Sequence, residues 1–229
     1  YFIDLFLKNI FQVSIIFLIK KGYLKNILIL NGLNTFGYLL TKICHKYNLP
    51  FMFWENGLKS KTLFIHPFGV NAYGRKSNSL LKIKPDKIKK LKTFINEFVN
   101  PKSKNILCPL QFDIDTNILC GSQFIDCEHF LKDILFPLSQ NLKNHNFFIR
   151  PHPKQNKIKK EIKEIIENSH NIFIDYKKNV DDTLDKSDLV ICINSTVGFT
   201  AFSSGIPVIS FGRSFWNDSN FHYFLEINK

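Results

Sequence analysis

The chain has 229 residues, 45% of them apolar and 14% aromatic, enough to bury one large core or two small ones, which argues against a disordered chain. Lys and Arg number 31 against 19 Asp and Glu, and the resulting charge of +12 favours anionic partners without choosing among nucleic acid, anionic lipid and acidic substrates. The five cysteines, odd in number and lacking a CxxC pair or zinc-ligand spacing, read as reduced structural thiols of a cytoplasmic protein.

Tyr1 in place of a starting Met, and a last segment without a stop signal, predict a piece of a longer chain whose first lobe is incomplete. The apolar stretch from Ile10 to Ile19 contains Gln12 and Ser14 and falls short of the ~20 residues a spanning helix needs, so a buried or interfacial helix is predicted. From Lys25 onward short apolar runs alternate with amphipathic ones, the rhythm of βαβ units around a parallel sheet, and the fold class is α/β. Strands are predicted at Ile27 to Leu30, Phe51 to Trp54, Ile106 to Leu110, Phe147 to Arg150, Ile172 to Asp175, Leu189 to Ile193 and Val208 to Phe211. Several are wholly apolar, as strands covered on both faces should be. Helices are predicted at Thr35 to Lys46, Ile88 to Val99, Cys127 to Leu142, Ile158 to Glu167 and Ser195 to Ser204, each bounded by Gly, Pro, Asn or Asp. The stretch from Pro67 to Pro101, rich in Lys, Ser, Asn and Gly, lacks a clean strand and puts a domain junction near Pro101, giving domains 1–100 and 101–229.

Three segments directly follow predicted strands and carry chemistry. In Ile193-Asn194-Ser195-Thr196-Val197-Gly198 an apolar strand ends and hydroxyl residues open a helix. Free backbone N–H groups and the positive end of a helix dipole suit a phosphate there, the dipole contributing about 0.3 to 2 kcal/mol. Ser195 or Thr196 serving only as a helix cap is the alternative. Arg150-Pro151-His152-Pro153-Lys154 places three cationic or protonatable side chains at the carboxyl edge of the sheet, where ligands of open α/β sheets bind, and its prolines restrict the direction of His152. Glu55-Asn56-Gly57 offers a carboxylate that suits a general base toward an acceptor hydroxyl, or simply a turn. Gln111 to Thr116, past a fourth strand, adds amide and carboxylate groups that can meet a sugar or a base.

These motifs carry a resemblance. Glu55-Asn56-Gly57, Gly69-Val70-Asn71, Pro109-Leu110-Gln111 with Asp115, Arg150-Pro151-His152-Pro153, and Asn194-Ser195-Thr196-Val197-Gly198 followed by Ser204-Gly205-Ile206-Pro207-Val208-Ile209 occur in the order seen in the capsule polysaccharide biosynthesis family. That family includes the retaining β-Kdo transferases, and the sequence is also similar to bacterial GT-B sialyltransferases in its acidic, His-Pro and Ser-Thr motifs. The resemblance implies a GT-B-like fold of two Rossmann-like lobes with parallel sheets, and a CMP-sugar donor held mainly by the second lobe. It further implies a lipid-linked glycan acceptor and transfer without a metal or other cofactor.

Carried over by motif, Arg150, His152 and Lys154 meet the donor phosphate, Asn194, Ser195, Thr196 and Gly198 bind it at the helix start, and Gln111 lies beside the sugar. Glu55 matches the first acidic position of the first lobe. His66 stands where the family has a carboxylate, three residues before Gly69, and Asn56 replaces the second acidic residue. A retaining reaction needs a nucleophile. Another carboxylate serves, the chemistry differs, or the chain is an impaired assembly or export partner. Nucleic-acid binding is set aside because the basic residues are spread over several predicted helices and no recognition motif is present. The positive charge then fits peripheral contact with the anionic inner face of the cytoplasmic membrane.

Overall fold

The computed structural model describes residues 2–57, 62–70, 105–113, 115–155, 158–214 and 216. The chain divides into two compact units, Tyr1–Asn78 and Ser79–Lys229. The junction expected near Pro101, the helix expected from Ile88 to Val99, and Asn71 lie outside the described residues.

The first unit opens with helix α1 (Phe2–Lys20), followed by β1 (Ile27–Leu30), α2 (Thr35–Lys46), β2 (Phe51–Asn56) and β3 (Leu63–His66). β1 and β2 are parallel, in register Ile27↔Phe51, while β3 runs antiparallel to β2 with Phe53 opposite His66. β3 is a strand that the sequence reading missed: Leu63-Phe64-Ile65 is too short a run to stand out beside the polar segment that follows. One face of this sheet packs Ile29 and Phe53 against Cys44, Leu49 and Val70. The opposite face, with Leu28, Leu30, Met52, Leu63 and Ile65, is exposed, so coverage on both faces does not hold for this sheet. The helix predicted as buried or interfacial is α1, and its Phe6, Ile10, Val13 and Phe17 are exposed. No described helix is long and apolar enough to cross a membrane.

The second unit contains β4 (Asn105–Pro109), β5 (Asn146–Arg150), β6 (Ile172–Ile174), β7 (Leu189–Cys192) and β8 (Val208–Ser210), in the spatial order β6-β5-β4-β7-β8. All four pairings are parallel. Counted within the unit the order is 3-2-1-4-5, the doubly wound Rossmann order, with its switch point between β4 and β7. β7 is buried at every residue, as a continuous Leu-Val-Ile-Cys run in a two-sided sheet should be. Around the sheet stand α3 (Thr116–Gly121), α4, α5 (Lys160–Glu167), α6 (Asp181–Leu184) and α7 (Thr196–Ser203). α4 runs from Cys127–Phe130 through a π-turn at Leu131–Leu135 into Phe136–Asn141. Pro137 explains the wide turn, since it has no N–H to give to the carbonyl four residues back. The core joins Ile106, Cys108, Phe130, Leu138, Phe147, Ile149 and Ile191. Four cysteines, Cys44, Cys108, Cys127 and Cys192, are buried, and none of the five is in a disulfide.

Candidate functional site

Parallel register brings three predicted residues into one row. Pro109 pairs with Arg150 and Leu107 with Val190, so two residues past the strand ends Gln111 stands level with His152 on one side and Asn194 on the other. Strands lie ~4.8 Å apart, which puts the turn after β5 and the start of α7 ~10 Å from each other with Gln111 between them. A hydrogen bond confirms half of the row: the Asn194 N–H donates to Gln111 Oε1 at 3.2 Å. Gln111 and His152 also line one crevice, together with Glu128 and Leu131 of α4 and Ile162 of α5, but Asn194, Ser195 and Thr196 are not part of its lining.

His152 is half-buried, and its Nδ1 accepts from the Lys154 N–H at 3.1 Å. This contact leaves the ring proton on Nε2, which is then a hydrogen-bond donor in the neutral ring. Burial pushes the imidazole pKa down, Asp115 opposes this and Lys154 adds to it. The Phe112 ring lies 6.1 Å away. A reciprocal clasp ties the turn to the β4 loop, because Asp113 N–H donates to Gln155 Oε1 at 2.9 Å and Gln155 Nε2 donates back to Asp113 Oδ2. Lys154 is exposed.

Arg150 departs from the role expected of it. Its Nη1 donates to Asp175 Oδ2 at 2.7 Å and its Nη2 to the Lys177 carbonyl at 2.8 Å, toward β6 and away from the switch point. The two side chains are 11% and 3% exposed, so the cation expected at a donor phosphate is committed to a buried pair.

Asn194 is buried, and its Nδ2 donates to the Asn117 carbonyl at 2.8 Å and the Arg213 carbonyl at 3.0 Å. Those contacts fix the amide orientation. Its Oδ1 is buried without a hydrogen-bond partner among the described residues. Ser195 caps α7, its hydroxyl accepting from the Val197 N–H at 3.3 Å, and its own N–H donates to the Cys192 thiol. The cap alternative therefore holds in part. Gly198 has a packing reason to be glycine: a Cβ there would lie 2.8 Å from Trp216 Cη2 and 2.9 Å from Cys192 Sγ.

Charge at the helix starts separates α7 from its neighbours. α3 is capped by Asp115, α4 opens on Asp126 and Glu128, α5 on Glu161, and α6 on Asp181 and Asp182. α7 opens on Ser195 and Thr196 with no acidic residue in its first turn, so no described side chain of its own cancels the positive end of its dipole.

In the first unit Glu55 and His66 share one face of the sheet, because Phe53 pairs with His66 and Glu55 with Phe64. Glu55 Oε2 accepts from Asn31 Nδ2 at 2.9 Å, and Oε1 accepts from the Asn56 N–H at 3.0 Å. Asn31 was missed by sequence reasoning, although the Asn-Gly pair after β1 marks a left-handed turn. Asn31 has φ 62 and Gly32 φ 77, and a Cβ on Gly32 would enter the Phe53 ring. His66 Nδ1 accepts from the Phe68 N–H at 3.3 Å, and its ring stacks on Phe64 at 5.8 Å. Among the described residues no group of three His, Cys, Asp or Glu is placed to hold a metal ion.

The second unit is thus a doubly wound α/β structure that joins Gln111 and Asn194 at the switch point of its sheet, with His152 one strand away and Arg150 turned toward β6. The chain belongs to the capsule polysaccharide biosynthesis protein family, which matches residues 72–219, more than half of its length. Among solved structures it is similar to the β-Kdo 2,7 transferase of Thermosulfurimonas dismutans KpsC, at 17% identity and TM-score 0.54, over 91% of this chain and 72% of that one. It is likewise similar to the β-Kdo 2,4 transferase of the same KpsC, at 16% identity and TM-score 0.57, over 86% of this chain and 71% of that one. These likenesses show the fold, and the α/β, GT-B-like class expected from the sequence holds, except that the sheet of the first unit is mixed and not parallel, since β3 runs antiparallel to β2. No curated protein matches the chain.

Proposed function

We propose that the chain is a glycosyltransferase that moves an acidic sugar, Kdo, from a CMP-sugar to a lipid-linked glycan acceptor during capsule polysaccharide synthesis. The observation that carries this reading is the His152-Gln111-Asn194 row at the switch point, closed on one side by the uncancelled start of α7. In this reading the His152 Nε2–H, the Ser195 hydroxyl proton and the Thr196 N–H donate to the donor phosphate, with the Lys154 ammonium nearby in sequence. Gln111 lies beside the sugar. Asn194 acts through its N–H, which donates to Gln111 Oε1 and so holds the Gln111 side chain in place. Arg150 acts at one remove by fixing the turn after β6, and Gly198 by allowing α7 to pack. Glu55, in the first unit, is the candidate general base, held in place by Asn31. The likeness to β-Kdo transferases supports the donor class, and the charge of +12 supports contact with an anionic membrane that bears the acceptor.

Calorimetric titration of CMP into the wild-type chain and the His152→Ala/Ser195→Ala variant tests the reading. Binding should weaken at least tenfold; equal affinity in both overturns it.

One observation favours a second reading, an assembly or export partner that keeps the fold without turnover. His66 occupies the expected nucleophile position, and with Nδ1 already accepting from Phe68 its remaining ring nitrogen carries the proton of the neutral ring. Incubation with CMP-Kdo and a glycolipid acceptor separates the two, since product excludes the partner role.

A further inference from the structure

We propose that α1 lies along an anionic lipid surface with Phe6, Ile10, Val13 and Phe17 seated among the acyl chains, which names the element behind the membrane contact of the proposed function and stands apart from its nucleotide site. Those four residues recur at spacings of four, three and four, which sets them in one line along a helix. All are exposed, Val13 the most at 68%. Phe11, Ile15 and Ile19 form the opposite line. The Phe11 ring meets Phe36 of α2 edge-on at 5.1 Å, and Ile19 packs on the core of the first unit.

A helix that covers a core with one face normally turns a polar face to water, and α1 is apolar on both. Single exposed apolar residues are ordinary, but a continuous stripe of two phenylalanines and two aliphatic side chains marks a contact surface. Because the inner line is committed to the unit's own core, lipid can reach α1 from one side only, so the helix lies along the surface rather than through it.

Charge decides the occupant. From Leu5 to Trp54 the sequence has six lysines and not one Asp or Glu. Lys20, Lys21 and Lys25, all exposed, directly follow the stripe, and the Lys21 ammonium stands 5.9 Å from the centre of the Phe17 ring. Tyr23, exposed among them, has the apolar ring and polar tip that suit the headgroup level. The acid of α1, Asp4, is paired with Lys8. An apolar helix face bordered by lysines matches a partner that is apolar within and negative at its surface, which is an anionic bilayer. A second copy of this face would bring lysines to a surface with no free carboxylate to meet them, and a nucleic-acid backbone would leave Ile10 and Val13 without an apolar partner.

The test is co-sedimentation of the full chain with vesicles of phosphatidylglycerol and phosphatidylcholine in equal parts, and with vesicles of phosphatidylcholine alone. Wild type should bind the mixed vesicles and largely ignore the neutral ones. Ile10→Gln/Val13→Gln/Phe17→Gln should lower the partition coefficient by ~tenfold or more, with the urea midpoint near wild type confirming the fold. Lys20→Gln/Lys21→Gln/Lys25→Gln should lower it by about fivefold per lysine. Val13→Trp should gain blue-shifted emission on mixed vesicles that brominated acyl chains quench. A wild type indifferent to anionic vesicles overturns the inference. So does binding that falls with the lysine variant but not with the apolar one, or a stripe shown by sedimentation velocity to be covered by self-association. CMP titration of the same samples reads the donor site separately, so either reading can fail alone.

Discussion

Replacing Arg150 by alanine strands a carboxylate. Asp175, 3% exposed, would keep the Thr183 hydroxyl and the Lys177 N–H but lose its charged partner. Removing one member of a buried pair costs about 3 to 5 kcal/mol. For a chain of this size each kcal/mol lowers Tm by ~2 to 4 °C, so Arg150→Ala should melt ~6 to 20 °C below wild type. Arg150→Met with Asp175→Leu should recover most of that loss, because two apolar side chains of similar volume leave no charge buried. The pH dependence follows from the same contacts. Burial pushes the Asp175 carboxyl up, but the hydrogen bonds from Thr183, Arg150 and Lys177 outweigh burial and hold it below the usual carboxylate value. A depressed folded value stabilises above the unfolded carboxylate value of ~3.9 and is lost as pH falls through the folded one. In Arg150→Ala the carboxyl is less depressed, so less stability is lost as pH falls below the unfolded carboxylate value, and the Tm gap to wild type should narrow toward pH 3. Thermal melts by circular dichroism from pH 7 down to 3 read both effects. A Tm within 2 °C of wild type at pH 7 would refute the buried pair and the turn-fixing role given to Arg150.

Gly198→Ala should cost about 1 to 3 kcal/mol in urea unfolding, since the added Cβ meets Trp216 and Cys192 at 2.8 and 2.9 Å in a packed interior. An unchanged midpoint would mean that α7 is free to shift. Burial depresses the His152 imidazole, so its NMR titration midpoint should fall below the ordinary ~6.5 and rise when CMP is added, with proton uptake on binding. This depression removes stability as pH falls below the unfolded imidazole value, and a midpoint indifferent to CMP would count against phosphate contact. Alkylation at pH 8 followed by mass spectrometry should label the half-buried Cys120 in the native protein, whereas Cys44, Cys108, Cys127 and Cys192 should wait for denaturant. Burial pushes the Cys127 and Cys192 thiols up to about 12, which removes their nucleophilic thiolate at that pH.

The parallel sheet of the second unit was legible because its strands are short apolar runs at regular intervals, and each predicted strand lies within one residue of its observed bounds at either end. Phe51 to Trp54 came out two residues short, since Glu55 and Asn56 are polar yet continue the ladder beside β3. Short helices such as Thr116–Gly121 and Asp181–Leu184 carry too little periodicity to be seen. The residues after the strands were legible as a set, because parallel strands end on one edge whatever their order. Which of them face one another was not. The strand order decides that Gln111 lies between His152 and Asn194 and that Arg150 turns instead to Asp175, and strand order is a property of the packed sheet. The Asp113–Gln155 clasp and the Asn31–Glu55 contact were missed for the same reason: each joins the ends of neighbouring strands, with nothing in the local sequence to mark it.

Ser195 and Thr196 permit a sharper separation of capping from ligand binding. A cap uses the oxygen of Ser195 as an acceptor, and a phosphate would use its proton, so truncating Ser195 disturbs both at once. Thr196, exposed at the first helical position, takes no part in the cap. Thr196→Asp puts a negative charge at the positive end of α7, where other helices of the unit already carry acids, and should leave stability unchanged or raise it by about 0.3 to 1 kcal/mol. The same charge repels a phosphate at that position, so CMP affinity should collapse while the melting temperature holds or rises. Stability and affinity moving in opposite directions is the mark of an anion site at this helix start. If Thr196→Asp binds CMP as wild type does, α7 is a capped structural helix and the phosphate lies elsewhere.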